Sequence, residues 1–397
     1  MVTGDQLLVK QLNKSIVLNV IRKKHNISRA EISNITGLNK STVSSLVDEL
    51  ITEGFVVEKG PGISKGGRKP ILLNINNNVG HIIGIDLGVN YILIILTDLS
   101  ANIIWQRRIK LKANETEKEI IDKLITLIQE AISASTKTLK GILGIGIGVP
   151  GIVDFKNGIV LMAPNLRWEN IKLKAIIEER FGITTYIDNE ANAGAIGEKW
   201  FGAGSKVTNL VYVSAGIGIG TGIIINDELY RGSNGFAGEM GHMTVNFNDH
   251  DCRCGNIGCW ENYASEKALF SYLKDIASEN KAVQYKDIED LSVFDVMENV
   301  RKNDQIAVRA LREVSKNLGI GVVNVVNTFN PDLVIIGNTL SLGGDIVLEE
   351  VKNIVNERSF ISSYYDIKIR LSKLGMYSCA IGAVSLVISK LFASPQI

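Results

Sequence analysis

The sequence predicts an α/β protein, a small helical head closed by a β-hairpin and followed by a two-lobed body, and three observations predict it. The chain has 397 residues, more than one compact core holds. Its first 75 residues carry 11 Lys and Arg against 6 Asp and Glu, whereas the other 322 carry 32 against 36. A basic head on a mildly acidic body is the division expected when one domain meets phosphates and the other does not. Finally, a strand, a tight Gly turn and a second strand occur twice, at residues 84–96 and 211–223. Composition narrows the class further. Hydrophobic residues at 45% and charged residues at 21% exclude bulk disorder, and 38 Gly against 6 Pro favour tight turns over Pro-rich linkers. No apolar run approaches the length that spans a bilayer, and the N-terminus lacks a signal peptide's apolar core, so a cytoplasmic protein without a membrane partner is expected.

The head reads as three helices and a hairpin. Leu8, Leu12, Val17, Val20 and Ile21 stripe a first helix. Ser28-Arg29-Ala30-Glu31 is a capping box that starts a second, and Gly37 supplies its left-handed end. A third begins near Asn39, with Val43, Leu46, Val47 and Leu50 at i, i+3, i+4 and i+7. Its other face offers Lys40, Ser41, Thr42, Ser44 and Ser45, short polar groups suited to base edges and phosphates, with Arg29 on the helix before. Phe55-Val56-Val57 and Ile71-Leu72-Leu73 then form a hairpin whose tip carries Lys65, Arg68 and Lys69. The segment resembles the winged helix-turn-helix of bacterial repressors, which implies that double-stranded operator DNA is a partner. A charged docking or oligomerisation module is the competing reading. Asn76-Asn77-Asn78 reads as the linker.

In the body, Gly84-Ile85-Asp86-Leu87-Gly88 turns into the strand Ile92–Leu96, and the run from Val211 to Ile223 repeats that shape. Two copies, each followed by helix–strand alternation, point to a duplicated, actin-like (ribonuclease-H-like) fold with a cleft between its lobes. Three more segments follow: Gly148-Val149-Pro150-Gly151 with Pro164-Asn165-Leu166-Arg167-Trp168; Asn189-Glu190-Ala191-Asn192-Ala193; and Gly238-Glu239-Met240-Gly241-His242 ahead of Cys252, Cys254 and Cys259. Together these are similar to the ROK family of repressors, open reading frames and kinases. The winged head combined with these motifs looks most like the members that repress xylose-utilisation genes in Gram-positive bacteria. The resemblance covers nearly the whole chain. It implies a winged head over 1–76, a first α/β lobe over 77–200 completed by a C-terminal helix at 380–397, and a second lobe over 201–379 with the metal site and a dimer interface.

Three of the four cysteines fall within eight residues, which in a cytosolic protein favours metal over disulfide. Cys252, Cys254 and Cys259 supply three thiolates and His242 a fourth ligand, a closed tetrahedral set that suits a structural Zn²⁺. Cys379 reads as a small buried hydrophobe. The resemblance places Asn165, Asn189, Glu190, Glu239, His242 and Glu261 where ROK kinases hold sugar hydroxyls.

The phosphate side departs from that pattern. The first loop has Val89 where kinases have Gly, the second has Ile217 where they have Thr, and Gly337 is followed by Asn338 instead of Gly. Glu190 replaces the catalytic Asp and is one methylene longer, and misplacement on the scale of an ångström can cost about 100-fold. The expectation is therefore no enzyme, but a DNA-binding homodimer on a palindromic operator, released when a sugar, D-xylose by resemblance, binds between the lobes. An ATP-dependent sugar kinase, or a repressor answering another sugar or a sugar phosphate, is the alternative.

Overall fold

The structure is a computed structural model that describes residues 6–62, 69–112, 114–248, 250–281, 285, 288–362 and 365–392. The head consists of α1 (Gln6–Lys24), a two-residue strand β1 (Ile27–Ser28), α2 (Arg29–Thr36), α3 (Lys40–Thr52) and a hairpin of β2 (Val56–Pro61) and β3 (Ile71–Ile75). The three strands pair in the order β1-β3-β2. Ser28 and Glu31 bond each other's backbone N–H as a capping box, and Gly37 ends α2 with φ +72°. Val43, Leu46, Val47 and Leu50 are the buried face of α3. Ser28→Ala removes the side-chain cap and should cost about 1 kcal/mol, read as a shifted midpoint in urea. The wing tip with Lys65 and Arg68 lies outside the described residues.

The first lobe runs β4 (His81–Leu87), β5 (Tyr91–Thr97), β6 (Ile103–Lys110), α4 (Glu117–Ala134) and β7 (Ile142–Val149). A small antiparallel sheet of β8 (Ile152–Asp154), β9 (Ile159–Ala163) and β10 (Trp168–Ile171) precedes α5 (Leu173–Phe181), β11 (Thr185–Asn189) and α6 (Glu190–Phe201). The main sheet has the order β11-β7-β4-β5-β6, parallel from β11 to β4 and antiparallel from β4 to β6.

The second lobe repeats that plan. Its strands are β12 (Leu210–Ala215), β13 (Ile219–Ile225) and β14 (Glu228–Leu229), followed by helices α7 (Glu261–Ala264), α8 (Glu266–Glu279), α9 (Val293–Arg301) and α10 (Gln305–Phe329). Next come β15 (Leu333–Gly337), α11 (Asp345–Arg358), β16 (Ile369–Leu371) and α12 (Ser378–Leu391). The sheet order is β14-β13-β12-β15-β16, with antiparallel neighbours around β13 and parallel ones around β15. The central strands β4 and β12 thus hold equivalent places, as the duplicated strand–turn–strand pattern predicts. Among the described residues no helix is long and apolar enough to cross a membrane.

The C-terminal helix α12 lies on the first lobe's sheet at van der Waals limits. A Cβ on Gly146 would stand 1.9 Å from the carbonyl oxygen of Ala383. One hydrophobic core runs without a break from Val17, Leu18 and Ile21 of α1, through Ile82, Leu93 and Ile95, to Val384, Ile388 and Phe392. The Asn76–Asn78 connection is tied to both the head and the body. Asn76 donates to the Gly54 carbonyl at 2.8 Å, and Asn77 accepts from Ser100 Oγ at 2.8 Å. The head is therefore seated on the body rather than strung from it.

Candidate functional site

A cavity of about 1280 Å³ opens between the lobes. Asn165, Asn189, Glu190, Glu239, His242 and Glu261 all line it, so the fold gathers into one place six residues that span almost a hundred positions of sequence. Asn189 ends β11 and caps α6, accepting from the N–H groups of Ala191 (2.8 Å) and Asn192 (3.2 Å) and donating to the Gly151 carbonyl at 2.9 Å. That fixes its amide and leaves one N–H proton for a ligand. Glu190 opens α6 at the cavity floor. Asn165 is exposed on the first lobe and accepts a 3.4 Å bond from Lys267 of the second.

The floor is rich in carboxylates. Burial, with Asp86 and Glu239 nearby, pushes the Glu190 carboxyl up to about 8. Burial also raises Asp86, opposed by the Tyr91 hydroxyl that donates to its Oδ2 at 2.6 Å. Between about pH 4.5 and 8 Glu190 is thus protonated in the fold and ionised in the unfolded chain, so its contribution makes stability fall as pH rises through that window. Glu190→Gln should remove that slope. By differential scanning fluorimetry the variant should gain on the wild type at pH 8 relative to pH 5.

Next to the floor, the short 3₁₀ turn Met240–His242 and the start of α7 bracket a loop closed by bridges from Thr244 to Cys259 and from Asp251 to Ile257. The ligand atoms of His242, Cys252, Cys254 and Cys259 lie within 4.8 Å of one another. Thiolates about 2.3 Å from a tetrahedral zinc stand about 3.8 Å apart. The Cys254 and Cys259 sulfurs are 3.7 Å apart, and Cys252 Sγ is 3.8 Å from His242 Nδ1. The first separation is far too long for a disulfide. The cluster could hold a metal ion. With Nδ1 turned to the sulfurs, Nε2 of His242 is left for the cavity. Glu261 sits at the same junction, its Oε1 3.4 Å from Cys252 Sγ and 3.8 Å from His242 Nδ1.

Three glycines at the cleft are backed closely by the chain's own side chains. A Cβ on Gly88 would meet the Tyr91 ring at 2.4 Å, one on Gly216 the Asn338 amide at 2.7 Å, and one on Gly218 the Glu261 carboxylate at 2.6 Å. Arg108 lies over the Tyr91 ring at 4.3 Å and reaches the Phe294 ring of the second lobe at 5.1 Å. Tyr91 and Arg108 went unnoticed in the sequence because nothing in their local pattern marks them. A second link between lobes was equally hidden: Arg231, stacked on Phe155 at 3.8 Å, forms a bidentate pair with the buried Asp188.

In the head, Lys40, Ser41 and Ser45 are exposed on α3, Thr42 and Ser44 are half-buried, and Lys69 is exposed at the edge of the wing. Arg29 is already engaged, 2.7 Å from Asp48 and 3.2 Å from Glu58.

These features can now be set against known proteins. Residues 82–390 match the model of the ROK family, and residues 15–57 match that of a winged helix-turn-helix DNA-binding domain. The chain belongs to the ROK family. A xylose repressor of Caldicellulosiruptor bescii is 47% identical over 396 residues, 99% of each chain. Among solved structures, a ROK family transcriptional regulator, a homologue of the Escherichia coli MLC protein, superposes with a TM-score of 0.82 at 26% identity over 97% of both chains. A ROK family glucokinase from Streptomyces griseus, in complex with glucose and AMPPNP, gives 0.72 at 31% identity, covering 77% of this chain and 99% of its own. This ROK chain thus shares its body with a kinase and its head as well with a regulator.

Proposed function

We propose that the chain is a sugar-responsive repressor that binds operator DNA through its winged head and lets go when D-xylose enters the cleft. One observation carries this reading. Six polar residues from both lobes converge on one cavity. Carboxylates and amides at fixed spacing suit a polyol. The full-length likeness to a xylose repressor supports both the class and the sugar.

In this reading Asn165, Asn189, Glu190, Glu239, His242 and Glu261 hold the sugar. Glu190, one methylene longer than a kinase Asp, leaves room for a pentose rather than a hexose. A structural Zn²⁺ on His242, Cys252, Cys254 and Cys259 fixes the loop that presents His242 and Glu261, and takes no part in hydrolysis because the four ligands leave no open position. Lys40, Ser41, Thr42, Ser44, Ser45 and Lys69 contact DNA, joined by Lys65 and Arg68 of the wing. Arg29 reaches DNA only by leaving Asp48 and Glu58. A homodimer presents two heads to a palindrome in the cytoplasm.

Fluorescence anisotropy of the zinc-loaded protein on a labelled palindromic fragment of its own promoter, at fixed salt, tests this. Tight binding that D-xylose weakens at least tenfold, with glucose inert and no ADP formed from ATP, is the expected result. Binding indifferent to every free sugar would move the effector to a sugar phosphate or a protein. Absence of specific binding together with ATP turnover would overturn the reading in favour of a kinase.

A further inference from the structure

We propose that α6, locked to α12, is the lever that carries the state of the cleft to the DNA-binding head, and that the stack of Arg22 on Trp200 is its joint. The proposal rests on the repressor reading and adds the route of regulation, with two positioning residues that touch neither sugar nor DNA.

The first support is placement. Glu190 at the start of α6 and its cap Asn189 line the cavity. From there α6 runs about 15 Å to Trp200 in its last turn. The Arg22 guanidinium of α1 lies over the Trp200 ring, 3.9 Å from its centroid. One rigid element therefore touches the cleft at one end and the head at the other.

The second support is the absence of slack. A Cβ on Gly382 of α12 would stand 1.7 Å from the Ala193 carbonyl oxygen, and one on Gly197 of α6 would stand 2.6 Å from that of Ser378. Backbone against backbone leaves no room for one helix to slide without the other. The fully buried Glu198 carboxylate clamps the pair, accepting from Ser378 Oγ (3.1 Å), the Leu374 N–H (3.0 Å), the Ala203 N–H (2.7 Å) and Ser372 Oγ.

Third, α6 is seated against the second lobe as well as the first. A Cβ on Gly222 would be 2.4 Å from the Ala191 carbonyl oxygen, and one on Gly194 would be 2.5 Å from the Tyr212 ring. Closure of the lobes around a ligand must displace α6 or bend it, and packed elements shift as units.

The joint itself is suited to reporting small rotations. Arg22 Nε is buried without a hydrogen-bond partner, and burial pushes the guanidinium down to about 10. Arg22 forms no ion pair among the described residues, so the Trp200 face is its main contact, and a cation held by an aromatic face is sensitive to tilt and distance. The contacts at the end of α12 are of another kind. Ser15 Oγ and Asn19 Nδ2 both donate to the Phe392 carbonyl, and Phe55 meets the Phe392 ring edge-on. These contacts anchor the head, while the α6 contact sets its angle.

The test uses the full-length, zinc-loaded protein, labelled operator and D-xylose. Xylose affinity without DNA comes from calorimetry, and operator affinity with and without saturating xylose comes from anisotropy. By reciprocity the ratio of the two operator affinities measures the coupling between sites. Trp200→Leu and Arg22→Met should each keep xylose affinity within about twofold and lower that ratio at least fivefold, while Trp200→Phe, which keeps an aromatic face, retains most of it. In the absence of DNA, xylose should also change the part of the wild-type tryptophan emission that is missing in Trp200→Phe. Wild-type coupling retained in both Trp200→Leu and Arg22→Met, or a Trp200 emission blind to xylose, would overturn the lever. A wild-type protein whose operator affinity ignores xylose would instead overturn the repressor reading itself, so the two failures are distinct.

Discussion

Cys259→Ser is expected to lower sugar affinity about 10-fold or more, because the loop that presents two proposed sugar contacts loses one of its candidate metal ligands. The reasoning runs through the loop. His242 and Glu261 stand at its two ends, one in the cluster of possible ligands and the other 3.4 Å from a cysteine of it. With one thiolate lost, the remaining three groups hold an ion weakly, and two of the six proposed sugar contacts lose their fixed separation. Calorimetry with D-xylose, beside metal analysis of the same sample, checks this. Unchanged affinity in a protein shown to have lost its metal would separate the loop from the sugar site. Operator binding in the absence of sugar should be affected far less, since the head lies beyond the opposite ends of α6 and α12.

Gly382→Val should cost about 3 kcal/mol, at the upper end of what overpacking a filled core costs. The new Cβ alone would stand 1.7 Å from the Ala193 carbonyl oxygen, and backbone cannot rotate away as a side-chain tip can. Relief requires α6 and α12 to part, which disturbs the cavity floor through Glu190 and the seat of the head through Phe392. A urea titration followed by circular dichroism reads the loss. A midpoint within error of wild type would mean that the two helices are looser than their geometry indicates.

Much of the local structure was legible because it depends on neighbours in sequence. The Ser28–Glu31 capping box, the turn at Gly37 and the buried face of α3 need only residues within one or two helical turns. The duplicated strand–turn–strand pattern located β4–β5 and β12–β13, and the two sheets then proved to share one strand plan. The residues that the resemblance to the ROK family pointed to also line the cavity, because each lies in a motif of that family.

What escaped notice depends on residues brought together from afar. Arg22 and Trp200 are 178 positions apart, and Ser15 reaches a carbonyl 377 positions away. Neither pair leaves a periodic trace. Tyr91 sits in a strand and would be taken for core, yet its ring packs against Gly88 at the cavity and its hydroxyl is bonded to Asp86. Arg29 looked like a free cation beside a recognition helix, and only the fold shows that Asp48 and Glu58 already claim it.

The unbroken core from α1 to Phe392 has a consequence for how such regulators can be recombined. A head built on its own hydrophobic centre could be exchanged between proteins like a cassette, with the operator preference travelling along. Here Val17, Leu18 and Ile21 share their packing with Ile82, Val384 and Ile388. A transplanted head would arrive without the complementary half of its interior and would have to bring the end of α12 and the outer face of the first sheet with it. Substitutions on the exposed surface of α3 leave that shared interior untouched.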